Sequence, residues 1–434
     1  MSIADDIFDR LQKFGLDSIA VSNVKEDSSQ VRFSGNSKDI HNHWVEDSTS
    51  VFVARGKKTA STIVKDYGIL DSSIDQLMFL LDHTPDNESF MGINPEKQDY
   101  SSINGARRND VDIQELASIM IDSATGKGAD RSAGLIYNNF AEVTTVTTHN
   151  RVQYSTGGTE FLIRAFKGDM TGQEATHTGS GGSDMDSIAR SLGEQAAETA
   201  MMLDHRKEGK QGKFRILMSP YLIGNIVSYA SAYFSYYSVE SGFSCFAESM
   251  GKKVGNDKLT ILDDPSDASG SGFRPVDDEG TVTFSKNLVE NGILRSYLHS
   301  YSTASRNNTR TTGNAGIIAP MPFQMKMAGG DSSEQEMLAS LKEGLYIRNA
   351  WYTRFQDDRN GVFSTVPRDG VFYVQDGEIK EAWGGIRISD SIPSVLANID
   401  LISKETWNVK WWEEIFPSTM PYVTVNEVNV SRAF

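Results

Sequence analysis

The chain has 434 residues, 38% of them hydrophobic, and carries 42 Lys and Arg against 58 Asp and Glu for a formal charge of −16. That length supplies two or three domains with cores of their own, and the negative balance works against attachment to nucleic-acid phosphates or anionic lipid. The single cysteine, Cys245, excludes an intramolecular disulfide and a cysteine-rich zinc site, which suits a reducing, cytoplasmic compartment.

The opening residues mix acids with apolar positions at helical spacing and lack the basic start and apolar core of a signal peptide, so the expectation is a helix at the start of the mature protein. Alternating segments at 18–24, 29–34 and 49–56 read as half-buried strands, and 61–81 as a helix. Pro85, Asp86, Asn87, Pro95, Asn104 and Gly105 crowd the stretch 84–109, which reads as a linker or long surface loop. Asp112 and Glu115, ahead of an apolar stripe, start a helix that ends near Gly126. Strands follow at 134–148 and 151–167, then a Gly-Ser-Gly-Gly-Ser run at 179–183 and a helix over 186–205 with Ile188, Leu192, Ala196 and Ala200 on its apolar face. After a basic, turn-rich tract at 206–213, strand-like runs dominate, among them 259–262, 282–288, 371–374 and 422–430. The pattern predicts an α+β fold in three parts: an N-terminal α+β domain (1–105), a central α+β region (106–212) and a β-rich C-terminal domain (213–434). The most apolar run, 221–239, is interrupted by Asn225, Ser228, Ser231 and Ser235, so no membrane span is expected.

Several groups of residues resemble sites and have plainer readings. His41 and His43 would share a strand face and could chelate a metal with Asp39 or Glu46, but no second pair accompanies them, and a polar strand face is the favoured reading. The glycines at 179–183 precede a helix and could cradle an anion, yet the run lacks the spacing of a phosphate or dinucleotide loop. His177 has no identifiable nucleophile or acid partner. Cys245 lacks a neighbouring cation that would activate its thiol. The acids Asp263, Asp264, Asp267, Asp277, Asp278 and Glu279 lack the alternation of a calcium loop.

Ser219 and Pro220 form a strong helix start, as N-cap and first helical residue. The side chains that follow, from Leu222 to Tyr237, are apolar around more than half the circumference, which predicts a helix covered on several sides. Downstream lie Leu-Thr-Ile-Leu-Asp-Asp-Pro (259–265), Phe-Arg-Pro-Val-Asp-Asp-Glu-Gly (273–280), Gly-Ile-Leu-Arg-Ser-Tyr-Leu (292–298) and Thr-Gly-Asn (312–314). These segments resemble the TldD/PmbA (TldE) family, two-subunit peptidases formerly called modulators of DNA gyrase, and weaker echoes extend over nearly the whole chain.

In that family one subunit carries His-Glu-x-x-x-His on a helix just upstream of this block and a third ligand, a cysteine, near its C-terminal end. Here 219–239 contains no His or Glu, and the last hundred residues contain no Cys. An active zinc helix needs two imidazoles on one face to bind the ion and a carboxylate to deprotonate the bound water. The resemblance therefore implies the non-zinc, TldE/PmbA-type subunit, with no catalytic residue and no metal ligand in this chain. Zinc is expected in a TldD-like partner subunit of a heterodimer, with a homodimer as the other possibility, acting on unfolded or modified peptides and without nucleic acid or membrane.

The resemblance also implies an N-terminal α+β region, a C-terminal domain with a large, curved, mostly antiparallel sheet, and an architectural role for Asp-Asp-Glu-Gly. Tyr346, Trp351, Tyr352 and Arg354 are the candidate peptide-binding residues, on a segment that could accept a peptide as an added strand; a core strand is the plainer reading of the same residues. Two other functions stay open: a hydrolase with its own site around His177 or His299, and a regulator of a DNA enzyme, which the charge disfavours.

Overall fold

The computed structural model describes residues 2–181, 183–202 and 205–433. Its first half is one antiparallel sheet of six strands in the order β3-β2-β1-β4-β5-β6. Strands β1 (Ser18–Ser34) and β2 (Ser37–Arg55) form a long hairpin. Its turn places Gly35 and Asn36 at φ 54° and 63°, the left-handed pair that matches strand twist. The expected short strands 18–24 and 29–34 are thus parts of one strand. The polar stretch between them interrupts the apolar alternation but not the backbone pairing, since β1 is bonded to β2 on one side and β4 on the other.

Strand β3 (Lys58–Val64) takes the first residues of the expected 61–81 helix. Its β-branched Thr59, Thr62, Ile63 and Val64 favour a pleated surface, and α2 (Leu70–His83) starts later. With α1 (Ile3–Leu11), α2 packs on Ile19, Val21, Val51 and Val53 of the sheet.

The helix α3 (Ile113–Gly126) starts where expected, with the Asp112 carboxylate accepting from the N–H groups of Gln114 and Glu115. Strands β4 (Arg131–Thr147), β5 (Arg151–Lys167) and β6 (Met170–Thr178) complete the sheet. Helix α4 (Met185–Met201) packs with α3 on Phe33, Ile136, Phe161 and Ile163. Gly182 of the glycine run and residues 203–204 at the expected end of this helix lie outside the described residues.

Strands β1 and β4, on opposite sides of residue 105, are paired from Ala20–Thr147 to Ser34–Ala133, so one sheet runs across that position. The turn-rich segment 84–112 contains no helix or strand and crosses to the second half of the molecule. There Asn94 Nδ2 donates to Thr281 Oγ1 (3.0 Å), Tyr100 OH to the Gly280 carbonyl (2.5 Å), and the Val282 N–H to Gln98 Oε1 (3.2 Å).

The second half is a 14-stranded sheet. In chain order its strands are β7 (Arg206–Glu208), β8 (Gly212–Met218), β9 (Ile261–Asp263), β10 (Lys286–Glu290), β11 (Ile293–Leu294), β12 (Met325–Met327) and β13 (Glu343–Ile347). There follow β14 (Ala350–Asp357), β15 (Val362–Pro367), β16 (Val371–Gln375), β17 (Glu378–Gly384), β18 (Ile386–Ser391), β19 (Ile399–Val409) and β20 (Ser418–Arg432). Pairing is antiparallel except at β12–β20, β13–β8 and β17–β7. An α+β fold with a large, mostly antiparallel sheet is therefore present, as the sequence and its resemblance implied.

Helix α5 (Pro220–Ala230) is inserted after β8, with Ser219 capping the N–H groups of Tyr221 and Leu222 as expected. Leu222, Ile223, Ile226 and Val227 enter the main core with residues of β8, β13, β18 and β20. Among the described residues no helix is long and apolar enough to cross a membrane, which says nothing of strands.

Candidate functional site

Helix α5 holds the place where the family resemblance implies a zinc helix, and it is buried along its length except at Tyr229. Two segments close over it, the start of β14 and residues 410–415. Gly224 makes room for Glu414, since a Cβ there would overlap that carboxyl. Burial pushes the Glu414 carboxyl well above the usual carboxylate range, which favours its neutral form. Its neighbour Glu413 is also buried, but its oxygens accept from the Tyr352 N–H (3.0 Å), the Thr353 N–H (3.3 Å) and Tyr229 OH (3.3 Å). Asn225 accepts a hydrogen bond from Thr353 Oγ1, which is itself bonded to Thr365.

Zinc would need thiolate, imidazole or carboxylate donors arranged around one point. Side chains of α5 supply none of these, Glu413 is committed to backbone N–H groups, and Glu414 accepts from Ser418 Oγ. Among the described residues no cluster of three or more His, Cys, Asp or Glu could hold a metal ion. These residues do not fit a zinc ion.

Around Glu413 the chain departs from regular strand geometry. The β14–β15 register shifts between Trp351 and Arg354, and Tyr352 sits at φ 60°. A bulky residue in the left-handed region is strained, and the two N–H bonds to Glu413 hold it there. The bulge turns the Tyr352 ring outward, 48% exposed, against Trp412, 53% exposed, at a centroid distance of 6.0 Å. Trp351 packs between them and the interior, 5.3 Å from Trp412 and 5.9 Å from Trp411. The guanidinium groups of Arg164 and Arg368 lie over the Trp351 ring at 5.1 and 4.5 Å. Arg354 projects from the same strand, 3.7 Å from Glu413.

Three of the four expected peptide-contacting residues, Trp351, Tyr352 and Arg354, therefore come together at one surface. The fourth does not. Tyr346 is 2% exposed and packs with Phe372 and Tyr422. Its hydroxyl donates to Glu334 and accepts from Arg348, which pairs with Glu174 of β6. As a central residue of β13, between β8 and β16, it has no surface to offer a peptide, and this expectation is corrected.

Strand addition is also limited at the bulge. Among the described residues strand β14 pairs only with β15, but the N–H groups of Tyr352 and Thr353 are already occupied by Glu413. Contact there falls to side chains.

The residues that sequence reasoning passed over are Arg368, Trp411, Trp412, Glu413 and Glu414. Two adjacent tryptophans followed by two glutamates are a visible signal, but their partners lie 61 positions away on β14 or 184 positions away on α5.

The other weighed groups have structural roles. His177 is fully buried; its Nε2–H donates to the Ser418 carbonyl and its Nδ1 accepts from the Ser271 N–H, both at 3.0 Å. Desolvation lowers its pKa to about 4, so it is neutral and has no free lone pair for a general base. His299 stacks on Tyr236 at 4.6 Å, and burial lowers it to about 4 as well. His41 meets Gln114 and His43 meets Asp27, both at the surface. In the glycine run, Gly179 and Gly181 N–H groups are bonded to the Ser269 carbonyl and Asn109 Oδ1. Burial pushes the Cys245 thiol up to about 12.

The acids form the frame of the C-terminal half. Asp263 accepts from the Phe323 and Gln324 N–H groups, Asn314 Nδ2 and Lys286. Asp277 accepts from the Glu279, Thr281 and Ala315 N–H groups.

Fold and frame together define a two-part α+β protein. A profile of the PmbA/TldA metallopeptidase C-terminal domain matches residues 211–432. The chain belongs to the TldD/PmbA family.

A metalloprotease of Methanocaldococcus jannaschii is 28% identical over 217 residues, 49% of this chain and 48% of that protein. A zinc metalloprotease TldD homolog of Saccharolobus solfataricus is 28% identical over 203 residues, 45% of each. The chain thus aligns with about half the length of these relatives. TldE from Thermococcus kodakarensis superposes with a TM-score of 0.84 at 17% identity, covering 98% of this chain and 100% of that one. A modulator of DNA gyrase from Thermotoga maritima superposes with a TM-score of 0.84 at 20% identity, over 98% and 99%. At these identities the likeness concerns the fold.

Proposed function

We propose that this chain is the TldE/PmbA-type, non-catalytic subunit of a TldD/TldE-type zinc metallopeptidase that cleaves unfolded or modified peptides. In this reading a TldD-like partner holds the zinc and supplies the chemistry. This chain completes the chamber and engages peptide through Trp351, Tyr352 and Arg354. The observation that carries the proposal is α5: a buried helix whose side chains include no zinc ligand, faced by one carboxylate bound to backbone N–H groups and one carboxyl that burial pushes well above the usual range. The neutralising environment of His177 and His299 argues against an independent hydrolase site.

The test is metal content and cleavage of an unfolded peptide such as reduced, carboxymethylated casein, measured for this chain alone and mixed with a His-Glu-x-x-x-His subunit. A chain that is metal-free and inactive alone but active in the mixture is expected. Stoichiometric zinc with activity in the lone chain would overturn the proposal.

A further inference from the structure

The surface around Tyr352 and Trp412 gathers several cations on an otherwise acidic molecule. The protein carries −16, yet Arg164, Arg354, Arg368 and Lys410 come together around this patch, beside Asp369, Glu413 and Glu414. Arg164 is neutralised by Asp369 at 2.8 Å. Among the described residues the one carboxylate in ion-pair reach of Arg354 is Glu413, at 3.7 Å, which is bound by two backbone N–H groups; Arg354 Nη1 donates to Tyr229 OH and the Thr353 carbonyl. Among the described residues Arg368 and Lys410 have no carboxylate within ion-pair reach; Lys410 Nζ donates to the Glu414 carbonyl instead. Burial pushes up Glu160 and Glu414, the two carboxyls on which Lys410 acts, which weakens local neutralisation.

The hydrogen-bonding inventory is unbalanced in the same direction. Trp351 Nε1 and Trp411 Nε1 are buried donors without an acceptor, at a site where nearly every buried donor is expected to find one. Between these cations and donors the surface is apolar: Tyr352, Trp412 and Ile415 are each about half exposed. Adjacent exposed aromatics of this kind mark contact sites, and arginine above an indole plane is already arranged to receive a carboxylate.

We propose that this patch recognises acidic segments of unfolded peptides, with Asp or Glu side chains meeting Arg368 and Arg354 and neighbouring apolar side chains packing on Tyr352 and Trp412. The inference rests on the peptide-handling role proposed above and names the substrate class. Arg368 is the specificity-determining residue, and Trp412 supplies apolar contact without charge preference. Recognition through side chains also agrees with the bulge, whose N–H groups Glu413 has already taken.

The test uses the full chain alone. A fluorescein-labelled 12-residue peptide of alternating Glu and Phe or Leu, amidated at its C-terminus, is titrated by anisotropy beside its Gln-for-Glu and Lys-for-Glu counterparts. The acidic peptide should bind at least tenfold more tightly than the Gln version, with the preference weakening as salt rises. Arg368→Gln should remove most of that preference, and Trp412→Ala should weaken acidic and Gln peptides alike. Circular dichroism confirms that each variant is folded; both side chains are at least partly exposed, so neither change opens the core.

Equal binding of acidic and Gln peptides, binding only through a free C-terminal carboxylate, or an unaltered preference in Arg368→Gln would each overturn the inference. So would a Trp412→Ala variant that loses self-association in sedimentation while the acidic peptide fails to bind, since the patch would then be an interface between copies. These outcomes separate from the proposed function: a mixture that cleaves casein without charge preference sinks the inference alone, and acid-selective binding with zinc-dependent activity in the lone chain sinks the subunit assignment alone.

Discussion

Removing the Glu413 carboxylate should release the bulge at 351–354. In Glu413→Ala the Thr353 N–H, in a buried position, and the Tyr352 N–H, partly buried, both lose their acceptor. A buried donor left unpaired costs about 1–3 kcal/mol, with the lower figure apt for Tyr352. The left-handed conformation of Tyr352 is strained in both proteins and so adds nothing to the difference; it is the lost acceptors that no longer offset it. Local opening should therefore become easier by about 2–4 kcal/mol, which corresponds to exchange some 30-fold to several-hundred-fold faster at those amides.

Native-state hydrogen exchange read by mass spectrometry on a fragment covering 350–357 measures this directly. Tyr352→Gly supplies the converse, because glycine accepts φ near 60° without penalty; in the Glu413→Ala background it should recover part of the lost protection. Exchange in Glu413→Ala within twofold of wild type would refute the claim that Glu413 holds a strained bulge in place.

His177 should make the protein acid-labile. Its pKa is about 4 in the folded chain against 6.5 in the free side chain, so the unfolded state binds more protons between those values and stability falls as pH drops from 6.5 to 4, by up to about 3 kcal/mol. His177→Gln should show a shallower fall in urea midpoint over that window, the remainder coming from His299. Asp277, raised to about 6, acts in the opposite sense, contributing stability at low pH that is lost as pH rises through 6, and does so in both proteins. Parallel curves for the two would refute the assignment. Gly193 of α4 faces α3, where a Cβ would overlap the Met120 carbonyl and Ser123 Oγ. Gly193→Val should cost about 1–3 kcal/mol through overpacking and broaden signals from Met120 and Ser123 in NMR spectra, whereas Gly126→Ala, with open space around it, should not.

Much of the architecture was legible because it is local. Caps at Asp112 and Ser219 are single-residue signals, and β-branched alternation marks the strand interiors; the α+β class and the family motifs at 259–314 follow from such signals. The 61–81 segment misled because β3 and the start of α2 share apolar residues, and only pairing with β2 decides where the strand ends. The absence of zinc donors from α5 is likewise a property of sequence. Tyr346 and Tyr352 show the limit: both are aromatics of one short segment, yet one is enclosed between β8 and β16 while the other is thrown outward by a bulge. That bulge depends on Glu413, some 60 residues downstream, just as the gathering of cations at the patch depends on Arg164, Arg368 and Lys410 arriving from three separate strands or loops. Composition determined the net charge and the donor types, through the residues themselves; tertiary structure decided which of them meet, because burial and pairing are set by contacts between distant segments.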